Sequence, residues 1–94
     1  LSILGSPTKS LQGIEKMSKL RDLYCQETMI QNLEPLRNLK NLQKVVFNKT
    51  AVASLEPLDK MKNLNLFFSE TKIPEEEIEQ FKTSHPNSTL LTEF

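Results

Sequence analysis

Few residues in this chain have the chemistry that catalysis requires. Among 94 residues there is one histidine, His85, and one cysteine, Cys25. A free thiol can act as a nucleophile, but Cys25 occupies the same position in a recurring pattern as Ile3, Phe47 and Phe68. Because the residues at the equivalent positions are apolar, an inert cysteine in the core is favoured. We therefore expect no catalytic residue, no metal site and no cofactor on this chain.

The acidic run Glu75–Glu77 is the other group that could do chemistry, as a cation site. Three consecutive carboxylates on a helix point in different directions, so they do not converge on one ion. They follow Pro74, and carboxylates in a first helical turn interact favourably with the helix dipole. We interpret the run as the exposed start of a helix. Glycine motifs that bind phosphate and nucleophile-elbow motifs do not occur in the sequence.

A row of apolar residues offers a better candidate site, for binding rather than catalysis. Apolar and polar residues alternate in three stretches, which predicts half-buried strands. The residues predicted to point inward are Leu20, Leu23 and Cys25, then Leu42, Val45 and Phe47, then Leu66 and Phe68. One outward position of each strand carries Tyr24, Val46 and Phe67, preceded by Ser2.

Because neighbouring strands lie about 4.8 Å apart, Tyr24, Val46 and Phe67 are expected to form one contiguous strip. Exposed apolar strips with aromatic members and polar flanks are typical of protein contact sites. The predicted flanks are Asp22, Lys44 and Asn65 on one side and Gln26, Asn48 and Ser69 on the other. The alternative is that the three strip residues only stabilise the sheet by cross-strand packing.

The elements that must position this strip recur every 22 residues. Four apolar columns follow that period: Leu11, Leu33 and Leu55; Ile14, Leu36 and Leu58; Met17, Leu39 and Met61; and Leu20, Leu42 and Leu64. The third unit is one residue short, and the deletion falls just after Leu64. A shift of one residue turns every side chain of a strand to its other face, so Leu66 rather than Phe67 is predicted to point inward.

Between the strands, apolar residues are spaced by three. Pro35 and Pro57 suit the first turn of a helix, so short helical or 3-10 segments of about two turns each are expected. From Ile73 the pattern changes. A helix is predicted after Pro74, with Ile78 and Phe81 facing the last unit; it is ended by His85, Pro86 and Asn87, and a short strand follows at Thr89–Thr92.

The unit L-x-x-L-x-x-L-x-x-L-x-x-L-x-L-x-x-T-x-[IV] resembles the 22-residue leucine-rich repeats of internalins and of the phosphatase-1 regulatory-subunit type. The match is carried by Leu33, Leu36, Leu39, Leu42, Val45, Phe47, Thr50 and Val52. It implies an α/β fold: a right-handed solenoid with parallel strands on the concave face, short helices or 3-10 turns on the convex face, and a C-terminal helical cap. Threonine stands where the family usually has asparagine after the strand, and its hydroxyl can also bond the turn.

On this interpretation residues 1–73 are repeats, with a partial repeat at 1–10 and complete ones at 11–32, 33–54 and 55–73, and residues 74–94 are the cap. Since the sequence begins inside a repeat, we interpret it as the C-terminal part of a larger repeat protein. The alternative is a short protein whose uncapped strand edge at Leu1–Leu4 pairs with a second copy.

The resemblance implies a non-catalytic module that binds a partner protein through its concave face. The alternative is a structural extension and cap, with binding located elsewhere. Twelve basic and twelve acidic residues give no net charge, which argues against nucleic acid as the main partner but leaves room for a local patch. No apolar run is long enough for membrane insertion. The sequence does not assign a cellular compartment. The resemblance slightly favours the cell surface, but the same repeat class also has cytosolic members.

Overall fold

The computed structural model describes residues 1–3 and 11–92. It is an α/β fold with a parallel sheet, one α-helix and three 3-10 helices among these residues. In chain order the elements are a first 3-10 helix (Ile14–Lys16), β1 (Asp22–Tyr24), a second 3-10 helix (Glu34–Leu36), β2 (Lys44–Val46), a third 3-10 helix (Glu56–Leu58), β3 (Asn65–Phe67), α1 (Glu75–Ser84) and β4 (Thr89–Leu91). Most of the predicted partial repeat 1–10, and the end of the predicted open edge at Leu4, lie outside the described residues.

The strands stand side by side in chain order, β1-β2-β3-β4, and every pair is parallel. Val45 pairs with Leu23 on one side and with Leu66 on the other. The pairing of Val45 with Leu66 confirms the predicted deletion after Leu64, because an undeleted unit would place the next residue there. At the start of the chain, Ser2 forms an isolated parallel bridge with Tyr24 beside β1.

One face of the sheet packs against the core. Leu23, Val45 and Leu66 are fully buried there, and Cys25, Phe47 and Phe68 continue the same face beyond the strands. The rings of Phe47 and Phe68 stack with centroids 4.8 Å apart and planes at 9°. These residues were predicted to point inward, and their burial confirms it; Leu42 is buried as well, while Leu20 packs at the margin of the core and is half-buried.

The 3-10 helices supply the other side of the core. Leu36 and Leu58 have no exposed surface, and Pro35 and Pro57 lie in the first turns, as predicted. Each helix is three residues long, so the expected length of about two turns was wrong. Apolar residues spaced by three match a helix of three residues per turn, but only a few residues then remain to lead the chain back into the next strand.

Buried threonines fix the turns that follow the strands. The hydroxyls of Thr28 and Thr50 donate to the carbonyl oxygens of Cys25 and Phe47, each over 2.8 Å. This is the bond to the turn backbone that the sequence predicted for threonine. It satisfies a hydroxyl that would otherwise be buried without a partner, which costs about 1–3 kcal/mol.

The last helix closes one end of the core. α1 begins after Pro74, buries Ile78 and Phe81, and ends before His85, as predicted. His85 is buried, which the sequence did not indicate: its ring stacks on Phe81 with centroids 3.8 Å apart. Its nitrogens lie 2.9 Å from the Phe81 carbonyl oxygen and 2.6 Å from that of Asp59. Within the described residues, no helix is long and apolar enough to cross a membrane.

Candidate functional site

The uncovered face of the sheet carries the predicted strip. Tyr24 pairs with Val46, Val46 pairs with Phe67, and Phe67 pairs with Leu91 of β4. Side chains of paired residues in a parallel sheet lie next to one another on the same face. The strip therefore runs across all four strands, and Ser2 adjoins it at the β1 end. We call Tyr24, Val46, Phe67 and Leu91 the apolar row.

Exposure varies along the apolar row. Leu91 is 41% exposed and Tyr24 and Phe67 are half-buried, whereas Val46 is only 9% exposed although no helix covers it. Val46 lies between the larger residues Tyr24 and Phe67, and Lys44 reaches towards both of their rings. The Nζ of Lys44 lies 5.0 Å from the centre of the Tyr24 ring and 5.4 Å from the centre of the Phe67 ring. The Lys44 ammonium therefore lies near both of the aromatic rings whose residues pair with Val46.

The Lys44 ammonium also donates a hydrogen bond of 3.2 Å to the hydroxyl of Tyr24. Each cation–π contact at a partly exposed position contributes about 0.5–1 kcal/mol. Lys44 was predicted as a flank of the strip; its backbone lies in that flanking row, and its ammonium reaches the two aromatic rings of the strip. A long flexible side chain on a strand can reach the position two residues along, which strand alternation does not reveal.

The other predicted flank residues line both sides of the apolar row. Asp22, Lys44, Asn65 and Thr89 form the adjacent register row, in which Asp22 and Asn65 are exposed. On the far side, backbone bonds from Glu27 to Asn48 (2.9 Å) and from Lys49 to Ser69 (2.8 Å) keep the chain aligned past the strand ends. Gln26, Asn48 and Ser69 are half-buried there.

Sequence reasoning missed Leu91 as a member of this surface. β4 contains two adjacent leucines, Leu90 and Leu91, and alternation alone does not say which one faces the core. The register decides: Leu90 pairs with the buried Leu66, and Leu91 pairs with Phe67. The wider spacing from Phe67 to Leu91, which contains α1, removed the signal that a fixed period would have given.

The groups considered for catalysis take structural positions. Cys25 has no exposed surface, and burial raises the pKa of its thiol to about 12, so the thiol stays protonated and is a poor nucleophile. Glu77 accepts hydrogen bonds from the Leu55 amide and from the Ser54 hydroxyl, the latter over 3.0 Å. The described residues contain no group of three or more histidine, cysteine or acidic side chains arranged to hold a metal ion.

A scan of the chain against protein-family models found no matching family, and a comparison with curated proteins found no similar sequence. The geometry offers a half-exposed apolar and aromatic surface with one positive charge close to its rings.

Proposed function

We propose that this chain is a leucine-rich repeat segment that acts as a non-catalytic protein–protein interaction module, with the uncovered sheet face as its concave binding surface. Three successive 3-10 helix and strand pairs in parallel order support the repeat interpretation. The 22-residue recurrence of the leucines supports it independently. In such a fold each unit buries its apolar edge against the next one.

The observation that carries the proposal is the apolar row itself. Tyr24, Phe67 and Leu91 keep exposed surface on a face that no element of the described chain covers. Tyrosine is enriched among the residues that dominate binding energy, and contacts at the centre of an interface are the effective ones. A partner that lies across the strands would cover the row and place an acidic or carbonyl oxygen near Lys44.

The alternative is a purely structural segment, in which ligands bind elsewhere in the protein. The 9% exposure of Val46 favours this structural alternative, because little of the Val46 side chain is left for a partner to contact. The Tyr24 and Phe67 rings also already interact with Lys44. Cross-strand pairs of this kind each stabilise a sheet by about 0.2–1 kcal/mol without any partner.

A random-peptide display selection on the immobilised chain separates the two functions. Peptides enriched on the wild type are measured against the double variant Tyr24→Ala/Phe67→Ala and against Met29→Ala. Met29 is 53% exposed and lies outside the strands, so its variant is a matched loss of exposed apolar surface. Circular dichroism establishes that all three proteins are folded.

The interaction proposal predicts at least about tenfold weaker peptide binding by the double variant and unchanged binding by Met29→Ala, since aromatic contacts at an interface centre each contribute about 1–2 kcal/mol or more. Enriched peptides that bind all three proteins equally would support the structural alternative. Light scattering on the same samples tests the separate prediction that the Leu1–Leu4 edge pairs with a second copy.

A further inference from the structure

The edge of the sheet at the amino ends of the strands forms a second continuous surface. Three connecting segments, 17–21, 37–43 and 59–64, lead from the 3-10 helices into β1, β2 and β3. The amide of Gln43 donates to the Arg21 carbonyl over 2.7 Å, and the amide of Asn65 donates to the Gln43 carbonyl over 2.8 Å. The Asn41 side chain donates to the Ser18 carbonyl over 3.0 Å. The segments are therefore stacked, and we call their surface the basic edge.

Positive charge predominates on the basic edge, although the exposed Asp22 at the start of β1 lies beside Lys19 and Arg21. The three segments contain six cations, Lys19, Arg21, Arg37, Lys40, Lys60 and Lys62, but only one of the chain's twelve acidic residues, Asp59. Asp59 lines a groove beside α1, together with Glu56 and Glu77, rather than the groove that the lysines line.

Most of these cations are available to a partner. Arg37 is already engaged, because it forms ion pairs with Glu34 and Glu56. The other five cations are exposed, and none of them forms an ion pair with a carboxylate in the described part of the chain. A neutral protein that gathers unpaired positive charge on one edge creates a local positive field there, although its net charge is zero.

The basic edge also has an apolar depression. A groove of about 400 Å³ lies between the second and third segments, and Lys40, Lys60 and Lys62 are among the residues that line it. Its lining includes Leu39 and Met61, the latter half-buried. Methionine side chains adapt to irregular ligands, so this floor can receive a leucine-sized group.

We propose that the basic edge binds an acidic protein segment that inserts one apolar side chain between Lys40, Lys60 and Lys62. The surface is distinct from the apolar row and does not depend on the function proposed for it. Nucleic acid fits less well: the three segments contain no aromatic residue, whereas single-stranded nucleic acid is usually bound by stacking its bases on aromatic side chains. A phosphate backbone is charged and would not bury the apolar floor of the groove.

Fluorescence anisotropy with three labelled probes tests the proposal. The first probe is a glutamate-rich peptide with a central leucine, the second replaces that leucine by serine, and the third is an oligothymidylate of equal charge. The test variant is Lys40→Gln/Lys60→Gln/Lys62→Gln. The matched control is Lys49→Gln/Lys72→Gln/Lys82→Gln, which removes the same charge from exposed lysines outside the basic edge.

We expect the leucine peptide to bind the wild type and the control equally and the test variant about tenfold more weakly at low ionic strength, since three exposed charge pairs are lost. The serine peptide and the oligothymidylate should bind the wild type more weakly than the leucine peptide. Tyr24→Ala/Phe67→Ala should bind the leucine peptide as the wild type does.

Three results would overturn the proposal. Equal losses in the test variant and the control would show attraction by overall charge alone. Tighter binding of the oligothymidylate than of the leucine peptide would assign the edge to nucleic acid. A wild-type dimer, seen by light scattering and abolished only by the test variant, would assign the edge to a second copy of this chain.

Discussion

The two faces of the one sheet differ although the same strands build both. On the covered face, Leu23, Val45 and Leu66 have no exposed surface, because the 3-10 helices lie over them. On the uncovered face, Leu91 keeps 41% of its surface exposed, and Val46 reaches 9% only through its neighbours. Two adjacent valines thus lie on different faces of the sheet, so residue type alone does not distinguish the covered face from the uncovered one.

The largest expected effect is the difference in stability between alanine substitutions of two phenylalanines, one on each face of the sheet. Phe47→Ala on the covered face should lower the free energy of unfolding by about 3–5 kcal/mol, because it removes a stacked ring and leaves a cavity. Phe67→Ala on the uncovered face should cost at most about 1 kcal/mol, the range of a cross-strand pair. Urea unfolding of both variants measures the two values. Equal losses would mean that both faces are core.

Much of this contrast could be predicted from the sequence. Alternation placed Val45 and Phe47 inside, and the shortened spacing after Leu64 gave the register of β3 correctly. The 3-10 helices were predicted too long, since a column of leucines spaced by three does not say where the chain must turn. His85 was missed because its burial depends on the carbonyl of Asp59, which is distant in sequence.

A smaller effect, on the covered face, depends on pH. Burial raises the pKa of Cys25 from its ordinary value of 9.0 to about 12. Between these values the unfolded chain loses the thiol proton and the folded chain keeps it. The free energy of unfolding is therefore unaffected below about pH 9 and should fall by about 1.4 kcal/mol per pH unit above it, until the folded thiol also ionises.

The matched variant Cys25→Ala isolates this contribution, because it removes the thiol and leaves every other ionisable group of the chain in place. Urea unfolding at several values between about pH 8 and pH 11 should show the stability difference between wild type and variant shrinking as the pH rises. A difference that stays constant with pH would mean that the folded thiol ionises as readily as the unfolded one.

The smallest expected effect comes from removing the Lys44 charge on the uncovered face. Lys44→Met keeps a long unbranched side chain but removes the charge near the rings of Tyr24 and Phe67. We expect a loss of about 0.5–1 kcal/mol in the free energy of unfolding. Lys72→Met, at an exposed lysine outside the strands, should have less effect. Equal losses in the two variants would show that the rings gain nothing from the Lys44 charge.

The candidate site could be predicted less completely than the core. Tyr24, Val46 and Phe67 follow from alternation and from the period, and the register places them side by side. The position of the Lys44 charge could not be predicted, since it depends on the conformation of a flexible side chain. The position of Leu91 in the row could not be predicted either, because α1 interrupts the fixed spacing before β4.

The most direct test of the central claim measures stability and binding together on Tyr24→Ala/Phe67→Ala. We predict a loss of no more than about 2 kcal/mol in the free energy of unfolding, from two cross-strand positions. On the same samples, the affinity for peptides enriched on the wild type should fall at least about tenfold. A loss of stability with unchanged peptide affinity would contradict the account, since the row would then serve the sheet alone.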